Sequence, residues 1–444
     1  MSDTAIAASQ PWYRALNRAQ WNTLVASHLG WLFDGYETYA VFLTVGVALR
    51  ELLDSSQFAQ IPVYAGTIVA LTLLGWGVGG LIGGVLADYL GRKRTMMLAI
   101  LAYSLVTGLS AFAWDWLSFA LLRFLVGVAI GSEWVTGASI VSELWPDRVR
   151  GRGVALMQCG LGLGFFLASL VWAYVGGMGP NAWRYMFLLG VLPALLTLWV
   201  RRTIPESALW ERVNDRRRAA VERKRSGAVL HEQEQALARF TLLDLFHERE
   251  PRRHALIAFM MSLATTFGFW GISTWVPQYV GAIAASTGLT APTWAGFAGM
   301  AFNAGAVAGY VAFGFLADIW GRRPITMLYF LGALALVPVL FLGTQDLALL
   351  LFAAAALGWF ATGQYSWMPA WLPELFPTHI RATAAGFVFN APRFIACVGP
   401  LISGKLIATF GGYSQAALAI AAVYILGLGA APFLPETRGK PLPT

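Results

Sequence analysis

The stretch Gly84-Val85-Leu86-Ala87-Asp88-Tyr89-Leu90-Gly91-Arg92-Lys93-Arg94 returns 230 positions later as Gly314-Phe315-Leu316-Ala317-Asp318-Ile319-Trp320-Gly321-Arg322-Arg323. Two more pairs keep nearly that offset. Glu143-Leu144-Trp145-Pro146 with Arg150 is matched by Glu374-Leu375-Phe376-Pro377 with Arg381, and Pro205-Glu206-Ser207 by Pro435-Glu436-Thr437. Three motifs in one order at one spacing mean two copies of a single unit. The chain must therefore fold as two related halves.

Those halves are apolar. Hydrophobic residues make up 57% and charged residues 12%, against roughly 25% charged in soluble domains. A spanning helix needs about 20 mostly apolar residues. Twelve such runs occur, six per half, at about 20–48, 64–90, 95–114, 117–144, 153–178, 183–200, 254–284, 293–318, 324–343, 347–373, 383–409 and 414–434. They are long, rich in Gly and Ala, and lack the alternation of a membrane barrel. The fold expected is an all-α membrane protein: twelve transmembrane helices in two pseudo-symmetric six-helix halves, 1–200 and 254–444, with a cytoplasmic segment 201–253 between them. In an apolar chain, duplicated halves mark a carrier that rocks one half against the other.

Basic residues set the orientation. With the N-terminus inside, the cytoplasmic segments hold nearly all loop Lys and Arg, and the outer loops hold only Arg50 and Arg184. That asymmetry follows the positive-inside rule and puts both termini in the cytoplasm. Arg123, Arg393 and Lys405 fall within predicted spans. The net charge of +8 follows from the same asymmetry and does not call for nucleic acid. The basic segment 201–253 reads first as a topology anchor on anionic lipid, and second as a regulatory or partner-binding element. Cys159 and Cys397 fall inside spans on opposite halves, where they read as packing residues. No cleavable signal peptide and no Asn-x-Ser/Thr sequon is seen, which favours a bacterial inner membrane.

The paired Gly-x-Leu-Ala-Asp-x-x-Gly-Arg-Arg/Lys loops resemble the signature of the major facilitator superfamily, over nearly the whole chain. Arg123-Phe124-Leu125-Val126-Gly127 resembles its further Arg-Phe-x-x-Gly motif. The Pro-Glu-Ser and Pro-Glu-Thr endings resemble the sugar-porter and organic-ion branch. Phe33-Asp34-Gly35-Tyr36-Glu37 looks like the first-span motif of proton-coupled aromatic-acid and metabolite symporters, and Gly131-Ser132-Glu133-Trp134 like a motif of metabolite and sialate symporters. The fifth span lacks the Gly-Pro pair of drug/proton antiporters. Arg393, seven residues before Pro400, matches the anion-carrier form of the organic-ion branch. The resemblance implies the fold strongly and the substrate weakly, because one fold serves many solutes.

An ionisable group deep in a span costs about 2.5–3.5 kcal/mol and is a functional candidate by default. Asp34 and Glu37 are three residues apart and share a helix face. Carboxylates this close repel when both are ionised, and low dielectric favours the neutral acid. Such a group can take a proton outside and release it inside. The plainer reading is that one or both pair with a buried Arg. Aligning the halves puts Trp270 opposite Asp34 and Gln364 opposite Glu133, so proton handling is expected in the first half and solute recognition in the second. Glu133 is the third proton candidate; its structural alternative is a partner for an Arg or for the Trp134 indole.

Arg393 is the expected solute anchor, because guanidinium stays charged and grips a carboxylate with a bidentate fork. Asn390 shares its face. An internal ion pair with Asp34, Glu37 or Glu133 is the alternative. Gln158, Trp270, Gln364 and Tyr365 are further candidates for solute contact. Asp88 with Arg92, Asp318 with Arg322, Glu143 with Arg150 and Glu374 with Arg381 are expected to form a conformational gate, with Arg123 grouped among them.

The reading is a monomeric proton-coupled symporter for a small organic anion, a monocarboxylate, with aromatic acids among the candidates. Alternatives are an organic cation or neutral solute carrier, and a transporter-like sensor. No metal-ligand spacing, nucleophile elbow or phosphate loop is seen, so neither an enzyme nor a cofactor is expected.

Overall fold

The computed structural model describes residues 11–273, 275–398 and 409–443. Among them all regular structure is helical. The first six long helices are α1 (Arg18–Leu52), α2 (Ile61–Leu90), α3 (Arg92–Ser110), α4 (Trp116–Leu144), α5 (Arg150–Val175) and α6 (Ala182–Val200). The second six are α7 (Arg249–Ile272, carried on by Trp275–Ser286), α8 (Ala291–Trp320), α9 (Arg322–Leu342), α10 (Leu347–Leu375), α11 (Arg381–Asn390, followed by Arg393–Ala396) and α12 (Tyr413–Phe433). The protein is an all-α membrane protein of two six-helix sets.

Nine of the helical stretches among the described residues are long and apolar enough to cross a membrane on length and composition alone. The three that fall short are α1, α3 and α11. Asp34 and Glu37 lower the mean hydropathy of α1, and Arg92, Lys93 and Arg94 crowd the start of α3. The continuation of α11, with Pro400 and Lys405, lies outside the described residues.

Local signals explain the helix starts. Asn17 and Gln20 form a reciprocal capping box ahead of α1, at 2.9 and 2.8 Å, and Asp115 accepts from the Ser118 amide at 2.7 Å ahead of α4. The repeated turns need glycine: Gly91 and Gly321 both sit at φ 106°, where a side chain is strained. Each turn sends the next helix back antiparallel.

Glycine also sets how closely the helices approach. On α2, Gly75, Gly79 and Gly83 lie against α4, while Gly80 and Gly84 lie against α11 of the other half. On α8, Gly305 and Gly309 lie against α10, while Gly314 meets Gly151 and Ala155 of α5. The two seams between the halves, α2 with α11 and α5 with α8, are thus related by the repeat. Along α10 the helix loosens into a π turn at Gly358–Thr362 and a tighter turn at Gly363–Ser366. Such irregular turns frequently mark functional positions, and this one carries Gln364 and Tyr365 into the interior.

Three shorter helices, Ala208–Arg225, Glu232–Leu237 and Thr241–His247, link the two sets. They are docked rather than loose. The Trp210 indole donates to the Asp88 carbonyl at 3.0 Å, and Arg217 donates to the Asp88 and His379 carbonyls at 2.5 and 2.6 Å. Thr383 and Thr241 share a hydroxyl contact at 2.9 Å. The segment therefore touches both halves, a contact that its charge-rich sequence did not announce.

Candidate functional site

At the end of the bundle that carries both glycine turns, the charged motifs meet in one buried network. Asp88 pairs with Arg92 at 2.9 Å and Asp318 with Arg322 at 3.0 Å, as the spacing leads one to expect. The other two pairs change partners. Glu143 takes Arg381 at 2.8 Å and Arg92 at 3.0 Å. Glu374 takes Arg150 at 3.1 Å and Arg322 at 2.8 Å. Each repeat's glutamate thus binds the other repeat's arginine, because the pseudo-twofold axis sets the two copies face to face.

The aspartates cross over as well. Asp88 accepts from the amides of Ala382 and Thr383 at 3.3 and 2.8 Å, and Asp318 from the Arg152 amide at 3.2 Å. A carboxylate at these first-turn amides also meets the positive end of the helix it caps. Glu206 and Glu436 hold the turns from behind. Glu436 accepts from the amides of Arg322 and Arg323, both at 2.9 Å. Burial works to raise the Glu436 carboxyl, but the amides of Arg322, Arg323, Arg438 and Thr437 outweigh it and hold it below the ordinary carboxylate value.

Arg123 is not part of this network. It lies inside the first half, paired with Glu37 and hydrogen-bonded to Ser110, with its guanidinium 4.5 Å from the Phe187 ring. Glu37 therefore carries a buried counter-ion, and its partner is an arginine of α4 rather than Asp34. Asp34 instead lies against Glu133. Both are buried, at 0% and 1% exposure. None of their four carboxyl oxygens meets a hydrogen-bond donor of another residue type among the described residues. The Trp134 indole, a possible partner for Glu133, donates to Gln158 at 2.9 Å instead.

Arg393 stands on the other side of the interface, 2% exposed. Its guanidinium lies 4.4 Å from the Trp76 ring and 4.3 Å from the Phe389 ring. It donates to the Phe389 carbonyl and to Asn390 Oδ1, the latter at 3.3 Å, and its Nε–H has no partner. Among the described residues it has no carboxylate, so the internal ion pair weighed from sequence is not formed. Asn390 is itself fixed, donating to the Gly386 carbonyl at 3.1 Å and lying over Gly80.

Aromatic rings join the two charged centres. Phe389 stacks on Trp134 at 3.5 Å, and Trp31 lies 6.0, 6.4 and 6.1 Å from Trp76, Trp134 and Phe389. The Trp31 and Trp76 indole N–H groups are buried without a partner among the described residues. Tyr365 packs edge-on to Phe389 at 6.2 Å. Gln158 belongs to this centre through Trp134. Gln364 sits farther back, accepting from Thr265 at 3.3 Å. Trp270 lies apart, toward the end away from the charged network, 5.8 Å from Phe42. Sequence reasoning missed Trp31, Trp76 and Phe389; the available signal was aromatic residues next to Asn390 and within the glycine run of α2.

The arrangement joins an uncompensated cation, unsatisfied indole donors and a carboxyl pair near the junction of the halves. Such a place suits an anionic, acceptor-rich solute and a proton.

The model of a family described as sugar (and other) transporter matches residues 22–444. The chain is 30% identical over 416 residues to the 3-(3-hydroxy-phenyl)propionate transporter of Escherichia coli, covering 90% of this chain and 94% of that one. It is 28% identical over 432 residues to a probable 4-methylmuconolactone transporter of Cupriavidus pinatubonensis, covering 96% and 93%. Its fold matches that of the proton:xylose symporter XylE with a TM-score of 0.74 at 22% identity, over 96% of this chain and 98% of that one.

Proposed function

The chain belongs to the sugar (and other) transporter family of the major facilitator superfamily, and on that premise we propose that it takes up a small organic anion, a monocarboxylate, together with a proton. It is a multi-pass transporter and not an enzyme. The observation that carries the anion reading is Arg393: buried, without a counter-ion among the described residues, and flanked by indole donors. A carboxylate there would give the guanidinium its counter-ion, since charge-assisted and bidentate bonds are the strong ones. The relatives named for aromatic and ring-derived acids support the same class. Asp34 and Glu133 supply the proton site in this reading, because two adjoining buried carboxyls resist ionising together.

The end with the charged network faces the cytoplasm in this proposal, with both termini inside a bacterial inner membrane and the monomer as the working unit. The network is then the closed inner gate of an outward-facing carrier. Arg381→Ala removes an arginine held by Glu143 at 2.8 Å and by the Pro443 carbonyl at 2.6 Å. Losing one partner of a buried pair costs about 3–5 kcal/mol. The variant is expected to shift toward the inward-open state, read as faster labelling of a cysteine introduced near the gate from the inner side; unchanged labelling would remove Arg381 from the gate.

The test of the function is thermal stability of the purified protein with benzoate-type acids, short hydroxy acids, sugars and amines, at pH 5.5 and 7.5. A ligand at 100 times its Kd stabilises the fold by about 2.7 kcal/mol. Stabilisation by carboxylates, stronger at the lower pH, is the expected result. Stabilisation by amines alone would turn Asp34 and Glu133 into cation ligands and overturn the anion reading.

A further inference from the structure

On the side of the rings away from the gate, a cavity of about 260 Å³ opens between the halves. Six aromatic side chains wall it: Tyr39 and Phe42 from α1, Phe165 from α5, Phe269 and Trp270 from α7, and Phe302 from α8. Tyr39 and Phe165 stack at 5.0 Å with an 18° tilt. The polar groups at its wall are Ser273, Gln278 and Asn303, all uncharged. A second, smaller hollow lies beyond Phe42 and Trp270, and its far wall is Trp76. Trp76 is also the ring on which Arg393 rests. The large cavity and the small hollow thus share the Phe42–Trp270 wall, and the small hollow shares Trp76 with Arg393.

We propose that the outer cavity is a receiving site for the ring of a one-ring aromatic carboxylic acid, with Phe42 and Trp270 as the partition between it and Arg393. This rests on the anion reading given above, and it narrows the solute to acids that carry a ring. Aromatic walls favour a π-face over an aliphatic chain, through offset and edge contacts added to simple burial. Among the described residues no charged group lines the cavity, so it gives little reason to hold a carboxylate tightly, and the acid head remains available to Arg393. Because both halves contribute walls, the cavity must deform when they rock, and a ring bound there is displaced inward or released.

Gly299 offers a clean plug. A Cβ at this position meets only Pro277 Cγ, at 3.8 Å, so a larger side chain enters the cavity without disturbing packing. Gly296, one turn earlier on α8, has nothing within 4 Å of the same point and does not line the cavity.

The experiment is equilibrium binding of 3-phenylpropionate and of lactate to the purified full chain, wild type and variants. Gly299→Leu is expected to weaken 3-phenylpropionate by about tenfold or more, the loss of at least one ring contact and its burial, and to leave lactate unchanged. Tyr39→Leu, which removes a stacked ring but keeps bulk, is expected to act in the same direction. Gly296→Leu should change neither, and Arg393→Ala should weaken both acids. Full 3-phenylpropionate affinity in both Gly299→Leu and Tyr39→Leu would overturn the receiving site while leaving the anion reading intact, and so would equal losses for the two acids. A loss in Gly299→Leu with none in Arg393→Ala would keep the receiving site and overturn Arg393 as anchor. No binding of either acid to the wild type would overturn both.

Discussion

Replacing Arg393 with alanine is expected to weaken binding of a carboxylate solute about a hundredfold or more, in a protein that still folds. Truncating one partner of a desolvated, hydrogen-bonded charge pair costs about 2–5 kcal/mol, and the alternative partners are poor. Phe389 and Asn390 supply one carbonyl and one amide oxygen, and Trp76 and Phe389 supply ring faces. Ring faces recover only about 0.5–2 kcal/mol of a cation's lost hydration. In the proposed function the empty protein thus bears a cost that a carboxylate solute would relieve. It follows that Arg393→Met, which keeps bulk and drops charge, should leave the ligand-free protein as stable as the wild type or more stable. The same variant should abolish stabilisation by carboxylates. Scanning fluorimetry with and without the acid reads both effects. Unchanged affinity in either folded variant would take Arg393 out of the site.

The second large effect concerns coupling. Asp34→Asn is expected to abolish accumulation driven by a pH gradient while leaving exchange of solute for solute. Asp34 and Glu133 lie side by side without a cation among the described residues, and the proposed function makes one of them the seat of the proton. For one anion carried with one proton, each pH unit of gradient supports about tenfold accumulation, since a unit is 1.36 kcal/mol. In proteoliposomes with a more acidic exterior, the wild type should fill and then hold the solute. The variant should only equilibrate it. Glu133→Gln is expected to behave alike. Glu37→Gln should do something different: it strands Arg123 and lowers stability, because a buried arginine loses its counter-ion. Retained accumulation in Asp34→Asn would remove Asp34 from the proton path.

Much of the fold was legible. The duplication and the apolar runs give two sets of six helices, and Gly91 and Gly321 mark the paired turns. The identities of the buried charges were legible too, since few ionisable groups fall inside the runs. Their partners were not. Three residues along a helix leave two side chains about 60° apart, and that is enough for Glu37 to reach Arg123 while Asp34 reaches Glu133. The gate hid its pairing for another reason. In each repeat the glutamate precedes its own arginine by seven residues, and nothing along the chain says that the other copy's arginine will arrive instead. The aromatic box was hidden because Trp31, Trp76 and Phe389 come from three helices, and only packing brings them together.

With the charged network as the proposed inner gate, its crosswise pairing has a kinetic consequence. When the halves part there, Glu143 keeps Arg92 and Glu374 keeps Arg322. Arg150 keeps Asp147 and the Ser142 carbonyl, and Arg381 keeps the carbonyls of Pro373 and Pro443. Arg381 gives up its carboxylate and falls back on these carbonyls. A lock of single pairs would have to be torn open against bare ions, whereas this one hands each group back to a neighbour it already holds. In the proposed cycle the network would work as an escapement: firm enough to define a closed position, and cheap enough to release at each turn.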